Sequence, residues 1–384
     1  MITRLLFLSL LHLFVVSFCS CSKSKKTILN YDNDSYKTIL VPNIINRDDV
    51  NIIDNLEYIV LEEKDNSFFG HVSKLRIHQN RIYVLDIRYA NALFIYTSEG
   101  KHIATIGDKK GQGPLELIGV NNFEIDYANN QLLVMDNFGY KFMIYDLEGR
   151  FIKRINSNIP VTQAVLLPNG YIMHAKASFD YKKFYQGNCC IIITDENKRI
   201  IREGFYYDDN PNINLISPSI IYSSPDGSFN FAPKFRDTIY SVSLDSIIPK
   251  YAINYGNNRK LSKSVIDDLP SSMDLFQLMY NGNLCFIGDH VESKEYLYLK
   301  LSDVIVFFNK QTNNTIAISN KIKGKAVEFE IYEILCSDND GYFYGAFNLA
   351  KRDELIMLFP EIKELFQSRD LNPILFRYKV KNEI

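Results

Sequence analysis

The stretch RIYVLDIRYANALFIYTSEGKHIATIG, Arg81 to Gly107, is written as strand, turn, strand, turn, strand. Each apolar run has strand length, and each junction carries Asp, Asn or Gly. Farther along, QLLVMDNFGYKFMIYDLEGRFIKRI repeats it piece by piece: RIYVLD answers to QLLVMD, ALFIYTSEG to KFMIYDLEG and KHIATI to RFIKRI. The second turn falls at Gly100 and Gly149, then at Asn197 in CCIIITDENKRIIREGF and at Ser246 in TIYSVSLDSIIPKYAI, shifts of 49, 48 and 49. A near-constant period of that length marks a propeller or solenoid, not one mixed core. Four short strands fit one period, the size of a propeller blade.

Laid out from the axis, blade one is KLRIHQN, RIYVLD, ALFIYT and KHIATI, and blade two is NFEIDY, QLLVMD, KFMIYD and RFIKRI. The same reading continues through AVLLPNG, SIIYSSPDG, NLCFIGD and FEIYEILCS as the inner strands of blades three to six. The sixth blade lacks an outer strand after PILFRYKV, and NLEYIVLEE stands before blade one with no blade of its own. Pairing the two would close the ring and remove two open edges. The expected fold is therefore all-β: a six-bladed propeller with four-stranded blades, closed by the N-terminal strand. Two short helical insertions interrupt it. SKSVIDDLPSSMDLFQLM (Ser262 to Met279) breaks near Pro270, and RDELIMLFPEIKELFQS (Arg352 to Ser368) places Pro360 in a first helical turn.

The chain has 384 residues and a formal net charge of −2, with acid and base intermixed. It carries no basic stripe, so no nucleic-acid partner is expected. Tyr and Phe number 25 and 26 with no Trp, which suits an all-β core. The start, MITRLLFLSLLHLFVVSFCSCSKSKK, has an apolar run from Leu5 to Phe18, of signal-peptide length and short for a spanning helix. Its end, FCSC, resembles a bacterial lipoprotein signal, which implies acylation of Cys21 as the mature N-terminus. The expected organisation is a signal over 1–20, an anchor and linker over 21–48, and the propeller over 49–384. The protein would be an exported monomer held on the membrane by its lipid. The basic SKSKK that follows Cys21 favours the periplasmic leaflet of the outer membrane.

Taken together, RIYVLD with FIYTSEGKHIATIG, GQGPLELIGVNNFEID, FRDTIYSV with PKYAINYG, and NPILFRYKVK resemble the six-bladed β-propeller lipoproteins of Gram-negative bacteria, related in layout to NHL-repeat proteins. That family's usual Gly before Glu is Leu115 here. The resemblance implies a fold and an exported, lipid-anchored location, and no settled activity.

No catalytic, cofactor or metal motif emerges. GDKKGQGP lacks the Gly-Lys-Ser/Thr of a phosphate loop. Cys189, Cys190, Cys285 and Cys336 have no zinc spacing and read as buried thiols. Asp86 and Asp136 end equivalent strands, as a repeated turn requires. Among the scattered histidines, His174 and His290 fall on or just after expected inner strands and could approach the channel. The expected activity is non-catalytic binding of a carbohydrate, peptide or protein partner; the alternative is a hydrolase or lyase acting on carbohydrate or peptide. Contacts are expected on the face built by the loops after each second strand and between blades. That face receives Arg88, Tyr89, Asn91, Lys109, Gln112, Glu116, Asn137, Tyr140, Lys176, Tyr181, Lys234 and Arg236.

Overall fold

The structure is a computed structural model and describes residues 36–46, 49–111, 113, 116–136, 141–156, 162–167, 172–175, 189–195, 197, 199–206, 212–213, 221–224, 228–244, 246–319, 321–322, 325–328, 333–347, 352–358, 360–367 and 372–381. The repeat folds as antiparallel meanders. Blade 1 consists of Lys74–His78, Arg81–Asp86, Ala92–Thr97 and His102–Ile106. Blade 2 runs through Val120–Asp126, Gln131–Asp136, Lys141–Asp146 and Phe151–Asn156. Blade 3 takes Gln163–Leu166, Ile172–Ala175, Cys189–Thr194 and Ile200–Tyr206. Blade 4 takes Ile221–Ser223, Phe229–Phe231, Thr238–Val242 and Ile247–Asn254. Blade 5 takes Phe286–Glu292, Tyr296–Leu301, Val304–Asn309 and Thr315–Ser319.

These five blades are each made of consecutive strands. The remaining four-stranded sheet is composite: Cys336–Ser337, Phe343–Ala346 and Leu375–Val380 are completed by the N-terminal strand Ile53–Ile59. Its register sets Leu375 against Ile59 and Phe376 against Tyr58. The uniform count of four strands per blade needs correction. Lys37–Leu40 adds in parallel to the outer strand of blade 4, and Ile45–Asn46 adds in parallel to that of blade 5, so both have five strands. Residues 37–46, expected as linker, thus belong to the propeller. The physical reason is that an outer strand leaves a row of unpaired backbone groups, and four residues such as KTIL suffice to cover it. A further ribbon, Lys321–Ile322 with Lys325–Glu328, was also unforeseen.

Strands are apolar on both faces because each sheet is packed on two sides. Tyr83, Leu93 and Ile95 of blade 1 share a core with Phe123, Leu132 and Val134 of blade 2. Corresponding cores join blades 2 and 3, 3 and 4, and 4 and 5. Tyr298 and Phe307 of blade 5 meet Phe343 and Phe376 of the composite sheet. That sheet in turn meets blade 1 through Cys336, Tyr344 and Leu375 against Leu75, Val84 and Phe94. The repeated turn glycine has a stated job. Gly100 and Gly149 lie at φ +84° and +85°, and a Cβ on Gly100 would fall 2.2 Å from the Val60 carbonyl oxygen. The turn thereby seats against the neighbouring sheet where no other residue fits.

The first insertion forms the helices Lys263–Asp267 and Ser272–Tyr280, each begun by a serine, Ser262 or Ser271, whose hydroxyl accepts a backbone N–H. Ile266, Leu275 and Met279 pack over Leu261 and Cys285, covering the entry to blade 5. The second insertion forms Arg352–Leu358 and Lys363–Gln367 around the turn Pro360–Ile362.

Candidate functional site: an axial cavity

The innermost strands run side by side and turn alternate residues toward the axis. The recurrent aspartates hold the connections that feed them. Buried Asp86 accepts from the backbone N–H of Gly70 and His71 ahead of blade 1, and from Arg88 and Tyr89 behind its own strand. Asp136 accepts from Ile118 and Gly119 ahead of blade 2. Their role is structural, as the repetition suggested.

The axis is polar. Lys74 and Arg76 of blade 1 meet Glu124 of blade 2, with Arg76 Nη2 at 3.1 Å from Oε1 and Lys74 Nζ in contact with the same oxygen. Lys74 also donates to Asn122 Oδ1 at 2.8 Å. Gln163 of blade 3 donates to Glu124 at 2.8 Å, and its side-chain amide clasps the backbone of Ile221 in blade 4, giving to the carbonyl and taking from the N–H. All three charged groups are buried. Burial pulls the Lys74 ammonium down, against the attraction of Glu124. Burial would raise Glu124, but Arg76 and Lys74 outweigh it and hold the carboxyl below its usual range. Where the inner strands end, the Tyr127 hydroxyl of blade 2 meets Ser223 of blade 4 at 3.1 Å, and His78 packs edge-on against the Tyr127 ring.

Beside the Lys74, Arg76 and Glu124 cluster lies a cavity of about 160 Å³. Lys74 and Arg76 line it from blade 1, Tyr222 from blade 4, and Asp289, His290 and Lys300 from blade 5. Glu333 contributes from the segment entering the composite sheet. Lys300 donates to Glu333 at 2.7 Å, and this carboxylate overcomes the lowering effect of burial and raises the lysine.

His290 is the unusual member. It is 1 % exposed and lies tilted against the Tyr222 ring, with centroids 4.3 Å apart. A break in register between Phe286 and His290 carries it, with Gly288 at φ +105°, where a Cβ would lie 3.0 Å from the Ala232 carbonyl oxygen. Nδ1 lies 2.9 Å from the Gly288 carbonyl. A carbonyl only accepts, so Nδ1 carries the proton and Nε2 presents a lone pair. That buried Nε2 has no hydrogen-bond partner among the described residues. Burial pushes the imidazole down to about 4, so it is neutral at pH 7.

A second buried carboxylate, Glu292, is fully served. It takes bonds from Lys250 at 2.8 Å, Lys310 at 3.0 Å, Ser224 at 2.8 Å, Asn230 at 2.7 Å and Tyr251 at 2.9 Å. Burial opposes ionisation there, yet the two lysines push the carboxyl down to about 2. It ties blade 4 to blade 5 and leaves little capacity for a ligand.

The residues expected from sequence lie elsewhere. Arg88, Tyr89, Lys109 and Arg236 are exposed, and Asn91, Glu116 and Lys234 are half-buried. None of them lines the cavity. The Asn91 carbonyl accepts from Val120 N–H, and Glu116 folds back onto the Gly113 N–H at 2.9 Å. The Tyr89 ring covers Gly70, which has no Cβ to obstruct it. Cys21, Gln112, Asn137, Tyr140, Lys176 and Tyr181 fall outside the described residues. His174 sits on the second strand of blade 3, pairing with Ala164 and Ile192, and not on the innermost one. The cavity residues Lys74, Arg76, Lys300 and Glu333 were missed. The available signal was charge at alternate positions of KLRIH and of NNFEID, on strands whose other faces are apolar.

Cys285 and Cys336 are free, buried thiols, both pushed up to about 12 by burial. Among the described residues no group of three or more His, Cys, Asp or Glu could hold a metal ion, and no helix is long and apolar enough to cross a membrane.

Sheets sharing cores in succession around a polar axis define an all-β propeller. The chain belongs to the family DUF4934, a domain of unknown function, whose model matches residues 38–379. No curated protein matches it. Among solved structures it is similar to a protein of Bacteroides fragilis NCTC 9343 described, by inference, as exported: 17 % identity, TM-score 0.71, covering 91 % of this chain and 100 % of that one. It is also similar to a member of the DUF4221 family from Bacteroides vulgatus ATCC 8482: 12 % identity, TM-score 0.51, covering 86 % and 98 %. These likenesses are of fold.

Proposed function

We propose that this chain is an exported, lipid-anchored, six-bladed propeller, with the composite sheet as its sixth blade, that binds a ligand at its axis without transforming it. The observation that carries this reading is the His290 Nε2 lone pair, buried in the cavity wall and unmatched among the described residues. A buried acceptor left unbonded costs about 1–3 kcal/mol, which a donor on a ligand would recover. A hydrolase or lyase would instead need a group that moves protons near neutral pH. An imidazole pushed down to about 4 is a weak base, and the Lys74 amine, which burial pulls down to about 7, is committed to Glu124 and Asn122, which favours recognition over catalysis. The exposed Arg88, Tyr89 and Arg236 are proposed as outer contacts for a larger ligand or partner. A thermal-shift screen of glycans and peptides tests the reading, since binding to the native state raises its melting temperature. At least one probe should stabilise the protein and lose its effect in His290→Phe. Shifts that survive this substitution unchanged would place binding away from the axis.

Anchoring is proposed at Cys21, from the apolar run ending in FCSC. Several acyl chains anchor stably where one does not. Cys21→Ala should therefore release the mature protein from the membrane fraction. A variant that sediments wholly with membrane would refute acylation at this position.

A further inference from the structure

The outer strands of blades 4 and 5 each take a further strand alongside in parallel. Blade 4 shows how such a place is built. Its outer strand bulges at Lys250, the residue passed over between Pro249, opposite Tyr240, and Tyr251, opposite Ile239. The added strand Lys37–Leu40 pairs only with the four residues past the bulge, Tyr251–Asn254. Its third residue, Ile39, sits beside Ile253 and is buried in the core shared with blade 5. Blade 2 has the same construction. Its outer strand FIKRIN bulges at Ile152, between Phe151 opposite Tyr145 and Lys153 opposite Ile144. Lys153–Asn156 therefore corresponds to Tyr251–Asn254, and KRIN to YAIN. Ile155 corresponds to Ile253 and packs on the core shared with blade 3. Among the described residues no strand pairs with the outer side of FIKRIN, and every residue of it except Ile155 is exposed. The neighbouring edges differ. Along blade 1 the incoming segment crosses the edge: Glu62 accepts from the His102 N–H, and Thr105 donates to the Asn66 carbonyl. In blade 3, Phe205 at φ +56° breaks the extended backbone, and its ring packs on Phe231 and Tyr240 of blade 4.

We propose that the Lys153–Asn156 edge takes an extended segment of a partner protein, laid in parallel, with acidic residues at its first two positions and a branched apolar residue at its third. An open edge presents backbone N–H and C=O groups that bond any extended segment, and the side chains beside them select which segment stays. Lys153 and Arg154 point to opposite faces of the strand, as successive residues do. Neither side chain has a hydrogen bond or ion pair among the described residues. Two successive acids would meet them, one on each face. Ile155 then calls for Ile or Val, as Ile253 receives Ile39. A second copy of this chain is a poor source of the segment. Its KTIL would set Lys37 beside Lys153, and like charges on neighbouring strands repel. The partner is therefore a different protein with an acidic, strand-forming segment.

Fluorescence anisotropy on the full chain tests this with a labelled peptide, Thr-Val-Glu-Glu-Ile-Thr-Ser, and its counterpart with Lys-Lys in place of Glu-Glu. The acidic peptide is expected to bind at least about tenfold tighter than the basic one. Lys153→Glu combined with Arg154→Glu, both at exposed positions, should weaken the acidic peptide by about tenfold or more and invert the preference. Only alternate residues of an added strand bond to the edge. Two forms of the acidic peptide, N-methylated at complementary alternate residues, should therefore differ on the native protein: one set abolishes binding and the other spares it. No saturable binding of the acidic peptide, equal affinity for the two peptides, or binding that survives the charge reversal unchanged would overturn the proposal. Equal effects of the two methylated sets would also overturn it, since charge attraction alone has no such alternation.

Discussion

Glu124→Ala is expected to destabilise the protein by about 3–5 kcal/mol, because it strands two buried cations. Lys74 and Arg76 are 3 % and 5 % exposed, and both are held by this one carboxylate. Gln163 would lose its partner as well, and with it some of the clasp between blades 3 and 4. The loss is a desolvation penalty exposed by removing one partner, not the net worth of the ion pairs. Consequently Lys74→Met combined with Glu124→Gln should be less damaging than Glu124→Ala, since Gln still accepts from Arg76 and one cation is gone. Urea unfolding at pH 7.5 measures both. A single variant within about 1 kcal/mol of the native protein would mean that water already reaches this cluster.

Stability should also fall between pH 6.5 and 4.5 through His290. Its ordinary value of 6.5 applies to the unfolded chain, while burial lowers it to about 4 in the folded one. In this window the unfolded state binds the proton first, so acid favours unfolding. The contribution is fully present above pH 6.5 and is lost as pH falls toward 4, an integrated loss of about 3 kcal/mol. His71 and His102 are lowered in the same direction by partial burial and add to the trend. Glu292 acts in a lower window. Its stabilisation is present above its ordinary 4.5 and disappears as pH approaches 2. Unfolding free energies of the native protein and His290→Phe, compared at pH 7.5 and 4.5, isolate the histidine. Parallel pH dependence in the two would contradict a neutral buried imidazole.

The blades were legible because their pattern is local. A strand such as RIYVLD, a glycine turn and the next strand sit within one period, and the period repeats. Closure by Ile53–Ile59 was legible too, as an orphan strand at one end and a missing strand at the other. The parallel additions of Lys37–Leu40 and Ile45–Asn46 were not. Four and two residues carry no periodic signal, and their partners are distant edges. The site was harder still. Surface loops attract attention because their polar residues are exposed, yet Glu116 spends its carboxylate on the Gly113 N–H of its own loop. Lys74, Arg76, Glu124 and His290 sit in apolar strands, where a charge looks like a solvated face until neighbouring blades are brought around it. Which blade faces which across the axis is a property of the closed ring, invisible in any single repeat.

The N-terminal strands have a consequence for how the chain reaches this state. Lys37 pairs beside Tyr251, Ile45 beside Ile318 and Ile53 opposite Val380. Among the described residues the first strands are thus the last to find partners, and the closing pairing waits for Leu375–Val380. Contacts this distant in sequence slow folding, because loop closure precedes any reward. During synthesis the outer edges of blades 4 and 5 and both members of the closing pair stand open to other chains. A product lacking Leu375–Val380 would keep its closing edges open, so closure of the ring depends on that strand. Once made, the same closure is the natural place for unfolding to begin, and its rate of opening sets how long the finished ring persists.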